Sequence, residues 1–344
     1  MRESVLKKVK LPFVPGLEVE FTNRDKSVEQ VYEFGERGVR LPVVVFGPEG
    51  CGKTAWLRQA SEILRELGYD VIYIDPLRKE FIAYTSVSDV TRKLSEAVAE
   101  AVGIAQLKLA TLGIDLVKEL IAKWRRKKVA ILIDDVFQAI GLDKAEIYVK
   151  SVLGLIEHPP ASYESIVALI STSEGLTRSR IGRHRWADIR AMWNMSRDGF
   201  GKLYEELRKR VSDKVPGFDD IWLSTGGNPA LFSQLYQVKW NTDTVINALI
   251  ENKGITPSFI NKWRNWLEES MRDPDALWAS DAPQELIKEL IEKNLIIYHM
   301  HRRFEYRWID TPPPEKDLEV GIGRYVAWQT PLHREAVKKM IKEL

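Results

Sequence analysis

Apolar residues in the first half of the chain gather in short unbroken runs, separated by longer stretches of helical period. Pro42-Val43-Val44-Val45-Phe46, Val129-Ala130-Ile131-Leu132-Ile133 and Ile166-Val167-Ala168-Leu169-Ile170 are such runs. Continuous apolar runs of this length predict strands buried on both faces. Tyr69-Asp70-Val71-Ile72-Tyr73-Ile74-Asp75 predicts another strand, and Ala191-Met192-Trp193-Asn194-Met195 a short, weaker one. Between them, apolar positions recur at helical spacing from about residue 55 and over 88–102, 114–126 and 143–157. Alternating strands and helices predict an α/β fold with a parallel sheet and helices on both faces.

The pattern changes near residue 196. From about Ser196 to Leu249 it is helical, and Gly254-Ile255-Thr256-Pro257 marks a boundary, with Pro257 suited to start a helix. Helices are predicted over 258–270 and 283–291, then a strand at Asn294-Leu295-Ile296-Ile297-Tyr298. Its return strand is expected at Phe304-Glu305-Tyr306-Arg307-Trp308, with Thr311-Pro312-Pro313-Pro314 as a break. Helices followed by a two-stranded hairpin suggest a winged-helix-like module. Three parts are therefore expected: a core over 1–195, a helical lid over 196–254 and the winged-helix-like part over 255–344.

The candidate chemistry begins where the first strand ends. Gly47-Pro48-Glu49-Gly50-Cys51-Gly52-Lys53-Thr54 has the spacing G-x-x-x-x-G-K-[ST], and Ala55 continues into a helix. Strand, glycine-rich loop and helix form the context that gives this spacing its meaning. Glycines let backbone N–H groups turn inward as an anion nest, and the helix N-terminus adds partial positive charge. In such a P-loop, Lys53 reaches the β- and γ-phosphates and the Thr54 hydroxyl ligates Mg²⁺. A chance glycine-rich turn is the competing reading. The run at 129–133 ends in Asp134-Asp135, where the first acid is placed to hold Mg²⁺ and the second to polarise an attacking water. Solvated acidic turns also follow strands, but Gly47, Asp134 and Thr172 all fall at strand C-termini, where α/β sheets bind ligands.

Composition narrows the setting. The chain has 344 residues, too many for one ordinary core. Apolar residues make up 44% and charged residues 29%, as in a soluble globular protein, and the net charge of +2 argues against a uniformly basic coat. Cys51 is the single cysteine, which excludes an internal disulfide and fits a reducing cytosol. It is either a reactive thiol inside the loop or simply a residue small enough to sit there. No run approaches a membrane span and no signal-peptide core is seen, so a cytoplasmic location without membrane partners is expected.

Three segments carry a family resemblance. Phe21-Thr22-Asn23-Arg24 resembles the F-x-x-R entry segment of archaeal P-loop ATPases and origin-recognition ATPases. Ile131 to Asp135 resembles their hydrophobic strand with its acidic end. Thr225-Gly226-Gly227-Asn228-Pro229 resembles the T-G-G-N-P segment of the archaeal ATPase family, in the signal-transducing (STAND) branch of AAA+-related ATPases. The resemblance implies an ATPase that binds ATP/ADP and Mg²⁺. It places Arg24 near the adenine, Gly227 and Pro229 in a lid approaching the nucleotide, and Thr172 or Ser173 as a polar sensor of the γ-phosphate. Many of these ATPases have Asp-Glu where this chain has Asp134-Asp135. The shorter Asp135 implies slow turnover. Adenine rather than guanine rests on the resemblance. From the residues alone, Gly226 to Pro229 is equally a loop-to-helix junction.

Partners are less determined. Residues 178–210 carry Arg178, Arg180, Arg183, Arg185, Arg190 and Arg197. These can contact nucleic-acid phosphates, supply an arginine finger, or form a solvated basic loop. His299, His301, Arg302 and Arg303 would meet at the hairpin tip, a second place for DNA contact. The expected function is an ATP-hydrolysing switch or motor. The alternatives are a nucleotide-gated DNA-binding protein and a nucleotide-binding scaffold that signals through a protein partner.

Overall fold

In the computed structural model, which describes residues 8–100, 106–173, 180–211 and 214–344, the chain opens with a hairpin, β1 (Lys10–Val14) and β2 (Leu17–Glu20). Then come α1 (Asp25–Arg37), β3 (Val43–Phe46), α2 (Lys53–Glu66), β4 (Asp70–Asp75), β5 (Glu80–Tyr84), α3 (Ser88–Glu100) and α4 (Gln106–Ala122). They are followed by β6 (Lys128–Ile133), α5 (Val136–Ile140), α6 (Leu142–Glu157), β7 (Ser165–Thr172) and β8 (Asp188–Met192). Helices α7 (Arg197–Arg210), α8 (Phe218–Thr225), α9 (Pro229–Gln237), α10 (Thr242–Asn252), α11 (Pro257–Arg272) and α12 (Gln284–Glu292) precede three short strands and a last helix. These are β9 (Ile296–Tyr298), β10 (Trp308–Ile309), β11 (Val326–Trp328) and α13 (Pro331–Glu343). Among the described residues no helix is long and apolar enough to cross a membrane.

The described residues fall into two units, the first comprising 8–9, 25–46, 53–100, 106–173 and 180–190. Its sheet runs β3-β7-β6-β4-β5, parallel except for β5, which returns antiparallel along β4. The expected α/β sheet is present. Ile72, Ile74, Ile131, Ile133, Ala168 and Ile170 enter one core with residues of α4 and α6. The alternate residues Val71, Tyr73, Ala130, Leu132 and Leu169 are buried on the other face, where α1 and α2 pack. Burial on both faces is why these strands read as unbroken apolar runs. The weak strand expected at 191–195 starts earlier, at Asp188, and ends at Met192. Polar Asp188 and Arg190 hide its start; they pair at 2.8 Å, and the Arg190 guanidinium lies 5.1 Å from the Phe34 ring centroid.

The second unit comprises 10–24, 47–52 and 191–344. One apolar core runs through it, joining Phe13 and Val19 of the hairpin to Phe200, Phe232, Leu249, Ile260, Leu286, Trp328 and Val337. The expected hairpin return at 304–308 is corrected. β9 pairs antiparallel with β11, through Ile296↔Trp328, Ile297↔Ala327 and Tyr298↔Val326. Residues 305–307 form a 3-10 turn with Phe304 and Tyr306 exposed, and Trp308-Ile309 pairs parallel with Ala191-Met192 at the end of β8. The fully buried Val326-Ala327-Trp328 is the better apolar partner, but it lies far along the chain and is too short to register as a periodic run.

Helix α13 carries a buried histidine with a testable consequence. His333 is 4% exposed, and its Nδ1 lies 2.7 Å from the Thr330 hydroxyl. Burial above all, helped by the charge of Lys253 and opposed by Glu49, pushes its pKa down to about 3. An unfolded histidine titrates near ~6.5. As pH falls below that value the unfolded chain takes up a proton that the fold refuses. The stability contributed by neutral His333 is therefore complete above the unfolded pKa and is lost progressively toward the folded one. Urea unfolding should show a loss of about 1 kcal/mol between pH 6 and 5 from this group. His333→Asn should flatten that slope. An unchanged slope would remove His333 as its source.

Candidate nucleotide site

The parallel register brings the acidic end of β6 into company that local sequence does not reveal. Pairing of Ile133 with Ile74 and with Ile170 sets Asp134 beside Asp75 on one neighbour and Ser171 on the other. Asp134 is 1% exposed. It accepts hydrogen bonds from the Ser171 hydroxyl and, at 3.1 Å, from the Tyr73 hydroxyl, while its own N–H donates to the Ile74 carbonyl at 2.8 Å. Tyr73 and Ser171 were not expected as site residues; the signal was their position at the ends of adjacent strands.

Asp135 stands in the left-handed region, φ 41° and ψ 32°, at the N-cap of α5. A non-glycine residue there is uncommon and is held by its surroundings. Its carboxylate does not cap the helix. It accepts instead from the Ser173 hydroxyl at 3.1 Å, and that hydroxyl accepts from Gln138 Nε2 at 3.1 Å. Burial first, then the charge of Asp134, raises the Asp135 pKa above the ordinary carboxylate range, with Lys53 and Ser173 pulling the other way. Asp75, 2% exposed, is raised by burial and by the charges of Asp134 and Asp135, against the Arg78 N–H and guanidinium.

Lys53, the first residue of α2, is 6% exposed, and its charge acts on Asp135. Thr54 and Ala55 follow it half-buried, and Thr172 is buried in β7 opposite Phe46. The site thus has an acidic surplus at Asp75, Asp134 and Asp135 that fits a cation. Among the described residues no three His, Cys, Asp or Glu side chains form a cage able to hold a metal alone.

The other part of the loop, Gly47 to Gly52, belongs to the second unit, whose side chains grip it from several directions. Arg24 is 4% exposed; its guanidinium donates to the Cys51 carbonyl and, at 3.1 Å, to the Trp193 carbonyl, and pairs with Asp310 at 3.0 Å. The structure thus engages Arg24 with the loop backbone. Cys51 is fully buried, its Sγ 3.7 Å from the Met192 carbonyl, which favours the reading of a residue small enough to sit in the loop. Asn228 caps α9 by accepting from the Leu231 N–H at 3.0 Å, and its Nδ2 donates to the Glu49 carbonyl at 2.8 Å. The Ala230 N–H donates to the Gly50 carbonyl at 3.3 Å. Gly227 is buried, its N–H 3.3 Å from the Thr225 hydroxyl and its carbonyl accepting from the Met195 N–H at 3.0 Å. Pro229 is the first residue of α9. In the T-G-G-N-P segment it is Asn228, unassigned by the sequence reading, that touches the phosphate loop.

The basic candidates have partners of their own. Arg180 pairs with Asp143 at 3.2 Å, Arg197 pairs with Asp219, and Arg190 is engaged as described above; Arg183 and Arg185 are exposed, and Arg178 lies outside the described residues. Arg303 donates to the carbonyls of His301 at 2.8 Å and Gly323 at 3.1 Å. Arg302 and His299 are exposed and His301 half-buried, in the loop after β9 rather than at the tip of the expected hairpin.

A family model described as an ATPase domain predominantly from Archaea matches residues 21–235. None of the curated proteins matches the chain. Among solved structures the chain is similar to the Walker-type ATPase PABY2304 of Pyrococcus abyssi, at 14% identity and a TM-score of 0.47, over 92% of this chain and 96% of that one. It is also similar to Cdc6p from Pyrobaculum aerophilum, at 14% identity and a TM-score of 0.43, over 97% and 99%. AMPPCP-bound DnaA from Aquifex aeolicus follows at 16% identity and a TM-score of 0.36, over 76% and 74%.

Proposed function

This chain belongs to the family of ATPase domains found predominantly in Archaea, and from that premise we propose that it binds ATP with Mg²⁺ and hydrolyses it slowly, as a switch or motor whose lid and C-terminal part respond to the nucleotide. Lys53 neutralises the β- and γ-phosphates from the start of α2, and the N–H groups of Gly50, Gly52, Lys53 and Thr54 cradle them. Thr54 and Asp134 are the residues that hold Mg²⁺, which when bound neutralises phosphate charge. Tyr73 and Ser171 fix the Asp134 carboxylate, each through its hydroxyl. Asp135 takes the proton of the attacking water, and Ser173 orients the Asp135 carboxylate by donating its hydroxyl to it.

The observation that carries this reading is the state of Asp135. A capping position whose carboxylate makes no cap hydrogen bond, held by Ser173 and raised in pKa by burial and a neighbouring acid, is arranged for proton transfer rather than for helix stability. Phosphate release by Asp135→Ala should fall by about 100-fold or more while the protein still retains ATP. Wild-type rates in Asp135→Ala would end its role as the base. Running the same assay with and without duplex DNA addresses the partner: stimulation would assign a nucleic-acid effector, and ATP retention with negligible release would favour the signalling scaffold.

A further inference from the structure

Glu49 is a variable position of the phosphate loop, yet every polar group it owns is committed to residues from the last two-fifths of the chain. Its carboxylate accepts from Lys253 Nζ at 2.7 Å and from Asn294 Nδ2 at 3.2 Å. Its N–H donates to Gln329 Oε1 at 2.9 Å, and its carbonyl accepts from Asn228 Nδ2 at 2.8 Å. The partners are joined to one another. Gln329 Nε2 donates to Asn294 Oδ1, Asn194 Nδ2 donates to the Gln329 carbonyl at 2.8 Å, and Asn228 Nδ2 lies 2.9 Å from Asn194 Oδ1. These bonds form a closed polar ring around one loop residue.

The ring is costly to open. Gln329 and Asn228 are fully buried and Asn194 nearly so, so a displaced loop would leave amide groups without partners. The elements behind the ring are rigid. Lys253 is the C-cap of α10, Asn294 sits at φ 55° just past α12, and Gln329 follows β11 and donates its own N–H to the Leu295 carbonyl at 3.0 Å. Glu49 is exposed as a whole side chain, but the desolvation its carboxyl does meet in the ring would push its pKa up; Lys253, with Asn294, more than reverses this and keeps it below the ordinary carboxylate range.

We propose that Glu49 is a latch through which Lys253, Asn294 and Gln329 hold the phosphate loop in its nucleotide-cradling shape, so that the C-terminal part of the chain sets how long the nucleotide stays. These four are positioning residues; none is asked to touch the phosphates. The inference rests on the ATP reading above. By linkage the effect is reciprocal: a bound nucleotide that stiffens the loop also stiffens the segments around Asn294 and Gln329.

The test uses the full chain with a fluorescent methylanthraniloyl ATP, chased by excess ATP in a stopped-flow instrument. Glu49→Gln and Lys253→Met should each speed dissociation by about three- to tenfold. The reversed pair Glu49→Lys with Lys253→Glu should recover much of the loss, a rescue that general structural damage would not allow. Glu49 is an exposed side chain, so the single variants are expected to fold. Unchanged dissociation in both single variants, with the wild type binding normally, overturns the latch. If the wild type fails to bind the analogue, the ATP reading falls instead. The latch is then judged on the free protein by hydrogen exchange: faster exchange over 294–298 and 326–330 in Glu49→Gln supports it, and identical exchange overturns it.

Discussion

Lys53→Ala is expected to reduce phosphate release by about 100-fold or more and to weaken ATP binding as well. The reason is electrostatic. Lys53 is nearly buried at the head of α2 and faces an acidic cluster in which Asp75 and Asp135 already resist ionisation. Without its charge, the triphosphate would enter a site holding Asp75, Asp134 and Asp135 with only Mg²⁺, backbone N–H groups and the helix terminus to balance it. Alanine is a strong helix former, so α2 should persist and the loss should be chemical. Circular dichroism and a melting curve would establish that. Turnover within about threefold of wild type would show that Lys53 does not serve the phosphates.

Gly227→Ala should lower stability by about 2–5 kcal/mol. Gly227 has φ +79°, and a Cβ there would stand 2.3 Å from the Met195 carbonyl oxygen and 2.9 Å from Trp222. Both penalties apply, left-handed backbone and contact with another backbone, and neither neighbour is a flexible side-chain end. Gly68 is the internal control: it has φ +82° and nothing within 4 Å of the added carbon, so Gly68→Ala should show the backbone term alone, about 1–2 kcal/mol. Denaturant unfolding of the two variants separates the terms. Equal losses would mean that the Met195 contact is relieved easily and that the T-G-G-N-P turn is softer than its packing suggests.

Much of the first unit was readable because its information is local. A strand buried on both faces leaves an unbroken apolar run, and a phosphate loop is contiguous in sequence, so β3, β4, β6, β7 and residues 47–54 stood out without any partner being known. The acids at 134–135 were readable for the same reason, as the end of a run. Tyr73 and Ser171 were not, because their relation to Asp134 exists only through strand register. The partners of Glu49 at 228, 253, 294 and 329 were invisible on the same ground. The C-terminal hairpin misled because adjacency was assumed: Phe304 to Trp308 alternates well enough for a strand, but pairing went to the more completely buried Val326 to Trp328. β1 and β2 escaped notice because they are short and half-exposed, and their apolar residues serve a core formed by the far end of the chain.

That last feature bears on the order in which the molecule assembles. Ser233 bonds to the Phe13 carbonyl across 220 residues, and the Phe13 and Phe232 rings meet edge-on at 5.5 Å. During synthesis the hairpin at 10–20 emerges first, yet it has no core to join until α9 and the helices after it exist. Closing so long a loop is entropically unfavourable, but the penalty grows only slowly with length and shrinks if the intervening sheet has already condensed. The first unit should therefore fold as a block while the hairpin waits, and fragments ending before residue 230 should leave Phe13, Val14 and Val19 exposed to aggregation.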